Sequence, residues 1–84
     1  MDAGVAFGKV LRRLRTSAGY TQEQLGFESD LRRSYVSILE LGQQQPSLTT
    51  ILKIARALTI PAGILIELVE DEIKVTAQSK KTRK

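Results

Sequence analysis

Residues 21–42 read TQEQLGFESDLRRSYVSILELG. Thr21 is a good helix N-cap, and Gln24, three residues on, completes a capping box with it. Residues 22–28 then make a short helix with Leu25 as its core anchor. Gly26 lets another backbone come close; the alternative is merely a weakened helix. Phe27 falls at the core edge or partly in solvent. Ser29, Asp30 and Leu31 form a turn, since Asp tolerates left-handed backbone better than most non-glycine residues. A further helix is expected over 32–41, with Val36 and Leu39 inward at i, i+3 and Tyr35 beside them. Gly42 stops it. The stretch is thus helix, tight turn, helix.

The flanking segments look arranged to hold that pair. Before it, Phe7, Val10, Leu11, Leu14 and Ala18 recur at helical spacing, which predicts a first helix over 5–18 ended by Gly19. Lys9, Arg12, Arg13 and Arg15 cover its remaining surface. After it, Gln43, Gln44, Gln45 and Pro46 make a polar loop. Ser47 caps a fourth helix over 48–58, whose apolar positions are spread widely enough to touch several neighbours. Pro61 suits the first position of a fifth helix over 61–72. That helix is too apolar all round for an exposed terminal element. Leu65 and Leu68 serve the core, and Ile64, Ile66 and Val69 are expected at a surface shared with a second copy. Isolated exposed apolar residues are the alternative. Residues 1–73 therefore make one all-α, five-helix domain, and the basic stretch 74–84, without apolar period, is expected to be disordered.

Composition narrows the function classes. The chain of 84 residues contains no cysteine and no histidine. That removes disulfides, thiolate and imidazole metal ligands, and the usual nucleophile–base pairs. No cofactor or metal is expected, and no carboxylate pair stands out for an enzyme. No apolar run approaches the roughly 20 residues that cross a bilayer, and the start lacks a secretory pattern, so the expected location is the cytoplasm. Residues 1–58 carry a net charge of +3, residues 59–72 a net −4 and residues 73–84 a net +5. A basic amino-terminal body suits a phosphate-binding face, and equally an ordinary solvated surface.

Three segments together carry a resemblance: LRRLRTSAGYTQEQL at 11–25, RRSYVSILELG at 32–42 and PSLTTILKIARAL at 46–58. They resemble the helix-turn-helix domains of lambda-repressor-like, or XRE, DNA-binding regulators, over residues 10–68. In size the chain is similar to restriction–modification controller proteins. The resemblance implies a homodimer that binds a palindromic operator on double-stranded DNA with its third helix in the major groove. It places Arg32, Arg33 and Ser34 at the groove, with Ser37 and Ile38 one turn on. Arg33 can donate twice to guanine, and Ile38 can meet a thymine methyl or simply pack. Gln22 becomes a phosphate or base-edge contact, Tyr35 a hydroxyl donor to phosphate, and Gln43 and Gln44 backbone contacts. Arg15 and Glu40 match positions of a structural ion pair. Solvated-surface readings of Arg32, Arg33 and Gln22 remain open.

Three positions depart from the family pattern. Asp30 stands where Gly is usual, Arg32 where Ser, Thr or Asp caps the helix, and Thr59 where Gly follows the fourth helix. A protein-interaction module of antitoxin type, using the fifth helix and the tail, is the competing reading.

Overall fold

The structure is a computed structural model that describes the backbone of residues 1–82 and the side chains of residues 1–76. Five helices follow one another: α1 (Ala3–Ser17), α2 (Gln22–Ser29), α3 (Arg33–Glu40), α4 (Leu48–Ala57) and α5 (Ala62–Thr82). The described residues contain no strand. Helix α1 packs on α3 and α5, α2 on α3 and α4, and α4 on α5.

Side-chain caps start three of these helices. Asp2 accepts from the Val5 amide at 2.9 Å, so α1 begins at Ala3, two residues before the start that its apolar stripe predicts. The Thr21 hydroxyl accepts from Gln24 N at 3.0 Å while Gln24 Oε1 accepts from Thr21 N at 2.8 Å, the reciprocal capping box. Ser47 accepts from Thr50 N at 3.1 Å and starts α4. Between α2 and α3, Asp30 adopts φ 57°, ψ 45°, the left-handed turn expected of it. Thr59, after α4, is also left-handed, at φ 60°. Both are residues other than glycine in a conformation that favours it.

All five helices feed one core. Phe7, Val10 and Leu11 of α1, Leu25 of α2, Val36 and Leu39 of α3, Ile54 of α4 and Leu65 of α5 are buried together. Ala18, assigned by spacing to the first helix stripe, is an exposed C-cap.

Three expectations change. Val69 is only 8% exposed and belongs to the core of its own chain, so it offers little surface to a second copy. Its neighbours Ile64 and Ile66 are 43% and 40% exposed, but two residues in a helix point about 200° apart, so they lie on different flanks of α5. On α4, Leu48 and Leu52 are exposed rather than packed. Finally, α5 continues to Thr82, past the Glu72 end that hydrophobic period predicts, and residues 74–82 are helical where disorder is expected. The run from 64 to 82 contains neither glycine nor proline, so nothing local breaks the helix once α5 has docked. Residues 83–84 lie outside the described residues.

Two close helix contacts set the geometry. A Cβ on Gly8 of α1 would sit 2.5 Å from the Leu39 carbonyl oxygen and 2.7 Å from that of Glu40. Only a bare Cα lets α1 lie this near the end of α3. A Cβ on Gly26 would sit 2.7 Å from the Leu31 carbonyl oxygen, which confirms that its role is close backbone approach. Gly63 of α5, by contrast, has nothing within 4 Å of where its Cβ would be.

The contrast gives a test. Gly8→Ala gains helix propensity yet should lose about 1–3 kcal/mol overall by overpacking. Gly63→Ala should be neutral or stabilising by up to about 1 kcal/mol. Urea unfolding of the two variants reads the difference, and equal behaviour would refute the contact at Gly8.

Candidate nucleic-acid interface

The site is built around one ion pair. Arg15, near the end of α1, and Glu40, the last residue of α3, have side chains only 12% and 4% exposed. Arg15 Nε donates to Glu40 Oε2, and Nη2 donates to Oε1 at 3.1 Å. Its Nη1 donates to the Tyr20 carbonyl at 2.8 Å, just ahead of α2. One guanidinium thus ties α1, the approach to α2 and the end of α3. The hydrogen bond that Arg15 donates to Glu40 raises the Arg15 pKa further above its already high ordinary value, against the opposing effect of burial. Gln22 joins the same carboxylate, its Nε2 donating to Glu40 Oε1 at 3.1 Å. No buried side-chain nitrogen or oxygen among the described residues lacks a hydrogen-bond partner.

The brace leaves the other end of α3 free. Arg32, Arg33 and Ser34 are exposed there, while Tyr35, Ser37 and Ile38 are half-buried along the helix. Gln22, Arg33, Ser34 and Ser37 line one open cleft between the start of α2 and α3. Arg15, Thr21, Gln22, Glu23 and Arg33 line another beside it. The fold therefore brings Gln22 and Arg33, 11 positions apart in sequence, to one surface. Gln43 and Gln44 are exposed on the loop after α3, at the opposite end of that helix from Arg33. Their neighbour Gln45 turns instead toward α1, with its Cγ 3.0 Å from where a Gly4 Cβ would lie.

Arg32 is the N-cap of α3 and makes no side-chain cap bond. Its guanidinium has no acceptor to offer the free amides of the first turn. The helix starts at Arg33, one residue later than the pattern predicts. The turn beneath it is closed instead from the backbone, with Leu31 N donating to the Gly26 carbonyl at 2.8 Å, and by Ser29 Oγ on the Leu25 carbonyl at 2.6 Å.

Two features of the site escape a reading of the chain alone. Gly8, inside the first predicted helix beside its apolar stripe, was the available sign that α1 crosses α3 there. The bond from Gln22 to Glu40, across 18 residues, has no sequence signal beyond the residue types.

A helix-turn-helix family model matches residues 11–65 of the chain. The chain belongs to that family of DNA-binding transcriptional regulators. Control protein C.BamHI of Bacillus amyloliquefaciens is 40% identical over 62 residues, 73% of this chain and 76% of that protein. An HTH-type transcriptional regulator of Sinorhizobium fredii is 35% identical over 60 residues, 71% of this chain and 78% of that one. The crystal structure of the restriction–modification controller protein C.AhdI from Aeromonas hydrophila superposes with a TM-score of 0.70 at 52% identity, covering 73% of this chain and 92% of that chain. The fold is also that of the clp gene regulator ClgR from Corynebacterium glutamicum, with a TM-score of 0.85 at 24% identity over 99% of this chain and 89% of that one. No helix among the described residues is long and apolar enough to cross a membrane.

Two substitutions probe the frame without DNA. Arg32→Ser supplies the missing cap acceptor and should stabilise the fold by about 1 kcal/mol in chemical denaturation. Glu40→Ala leaves the buried Arg15 charge uncompensated and should cost about 3–5 kcal/mol, most of the margin of so small a domain. A loss below 1 kcal/mol would show that the pair is effectively solvated.

Proposed function

We propose that this chain is a controller-type transcriptional regulator that binds a two-fold-related operator as a homodimer, with α3 in the major groove. The observation that carries this reading is the exposed Arg33–Ser34 end of α3, held by the buried Arg15–Glu40 pair at its other end. A reading helix needs that combination of a free amino-terminal end and a fixed axis. The likeness to control proteins of restriction–modification systems supports the same assignment.

Each residue then has a physical task. Arg33 donates two hydrogen bonds to the O6/N7 edge of a guanine. Ser34 and Ser37 meet base edges or phosphate, and Ile38 meets a thymine methyl. Arg32, Gln22 and the Tyr35 hydroxyl meet phosphates, as do the amides of Gln43 and Gln44. Amides release no counterions, so among these phosphate contacts the salt dependence of binding is set mainly by Arg32. Ile64 and Ile66 are exposed on separate flanks of α5, and one of these flanks supplies the apolar surface of the homodimer. Two copies then present their α3 helices to half-sites about one helical turn apart. A DNA-binding regulator acts where the genome is, in the cytoplasm of a bacterial cell.

Selection of bound sequences from random duplexes tests the whole reading and should return a palindrome; a chain that retains no sequence would sink it. Arg33→Ala should cost about 1–3 kcal/mol on the selected operator and relax preference at one base pair in each half-site. An equal loss on every sequence would assign Arg33 to phosphate instead. By light scattering the wild type should have the mass of two chains, and Ile64→Glu or Ile66→Glu should shift it toward one. A monomeric wild type at micromolar concentration would refute the dimer.

A further inference from the structure

Gln22 stands at the first position of α2, yet its side chain bonds to the far end of α3. Its Nε2 shares Glu40 Oε1 with Arg15 Nη2, each at 3.1 Å. An ionised carboxylate only accepts hydrogen bonds. The amide nitrogen of Gln22 must therefore face Glu40, and its carbonyl oxygen must face elsewhere. Glu40 is itself immobile, because both of its oxygens are held by the Arg15 guanidinium. The orientation of the Gln22 amide is thus inherited from a buried ion pair. One N–H of that amide goes to Glu40 and the other has no acceptor among the described residues. The side chain borders both open clefts at the junction of α2 and α3, beside Arg33. It also stands at a helix start, where free backbone amides and the helix dipole favour an anion.

We infer that Glu40 is a positioning residue for DNA contact: it holds the Gln22 amide so that the second N–H is presented to a DNA phosphate at the start of α2. This rests on the DNA-binding reading above. A fixed donor loses little rotamer freedom on binding, and it cannot turn its oxygen toward the phosphate. Released from Glu40, the amide would populate both orientations, one of them repulsive. The contact would be independent of base sequence, because phosphate carries no sequence information. It would also leave the salt slope unchanged, because a neutral amide displaces no counterion.

The test compares wild type, Gln22→Met, Glu40→Gln and the double variant on the selected operator and on a scrambled duplex of equal length, with folding checked by circular dichroism. Gln22→Met should weaken binding to both duplexes by the same factor, about threefold to tenfold for one net hydrogen bond, with an unchanged salt slope. Folded Glu40→Gln should also weaken binding, and adding Gln22→Met to it should cost nothing more. Losses that multiply in the double variant, or a Glu40→Gln protein that binds like wild type, overturn the inference. Should Glu40→Gln fail to fold, the wild type still decides. One of the two Gln22 side-chain amide protons in a nitrogen-15 spectrum should lie downfield of free glutamine, and free-glutamine shifts for both overturn the coupling. A wild type that binds neither duplex refutes the DNA reading and this inference with it. A wild type that binds while the two substitutions act independently refutes this inference alone.

Discussion

The contact between Arg15 and Glu40 constrains more of this molecule than its size suggests. A guanidinium offers five N–H groups in a fixed plane, and three of them are used here on two separate segments. Because both partners are nearly removed from water, neither can leave without stranding the other. The pair therefore acts as a geometric lock. It sets the angle of α3 against α1, and through Tyr20 it sets where α2 begins. Everything at the opposite, exposed end of α3 inherits its position from that lock.

The lock works only because the backbones are already close. Gly8 allows α1 to approach the Leu39 and Glu40 carbonyls, and Gly26 allows α2 to approach the turn at Leu31. A chain of this size buries a modest core and has few ways to place a helix accurately. Close backbone approach is one that needs no added volume, since it replaces a side-chain layer with direct contact. The core then fills in around the crossing, with Leu39 buried one residue before Glu40 and Leu11 and Val10 buried ahead of Arg15.

The exposed amino-terminal end of α3 follows the opposite rule. There the helix lacks a side-chain cap, the preceding turn carries Asp30 in left-handed backbone, and two arginines stand in solvent. The missing cap and the left-handed Asp30 are small local costs, and the missing cap and the two arginines leave donors uncommitted in the folded protein. A Ser cap at position 32 would spend its hydroxyl on the helix itself. Arg32 commits none of its side-chain donors to the helix. The helix is thus satisfied at its brace and unsatisfied at its tip, an arrangement that suits the DNA-reading role proposed for it.

Much of this was legible in the chain. Helical period located all five helices, the residues at Thr21, Gln24 and Ser47 announced their caps, and Gly26 and Asp30 announced the turn. The resemblance carried the Arg15–Glu40 pairing. These features depend on near neighbours or on a pattern that spans most of the chain. What the sequence left open were questions of docking. A helical wheel shows that Ile64, Ile66 and Val69 are apolar, but only the seat of α5 against α1 and α4 places Val69 in the core and leaves the isoleucines on separate flanks. The same holds for Leu48 and Leu52, which period assigns to a core that α4 does not bring to them. It holds for Gly8, whose meaning depends on a carbonyl 31 residues away, and for Gln22, whose partner lies 18 residues on. Local spacing determines which way a side chain leaves its own helix. What it meets is decided by how the helices cross, and that crossing is a property of the whole packed chain.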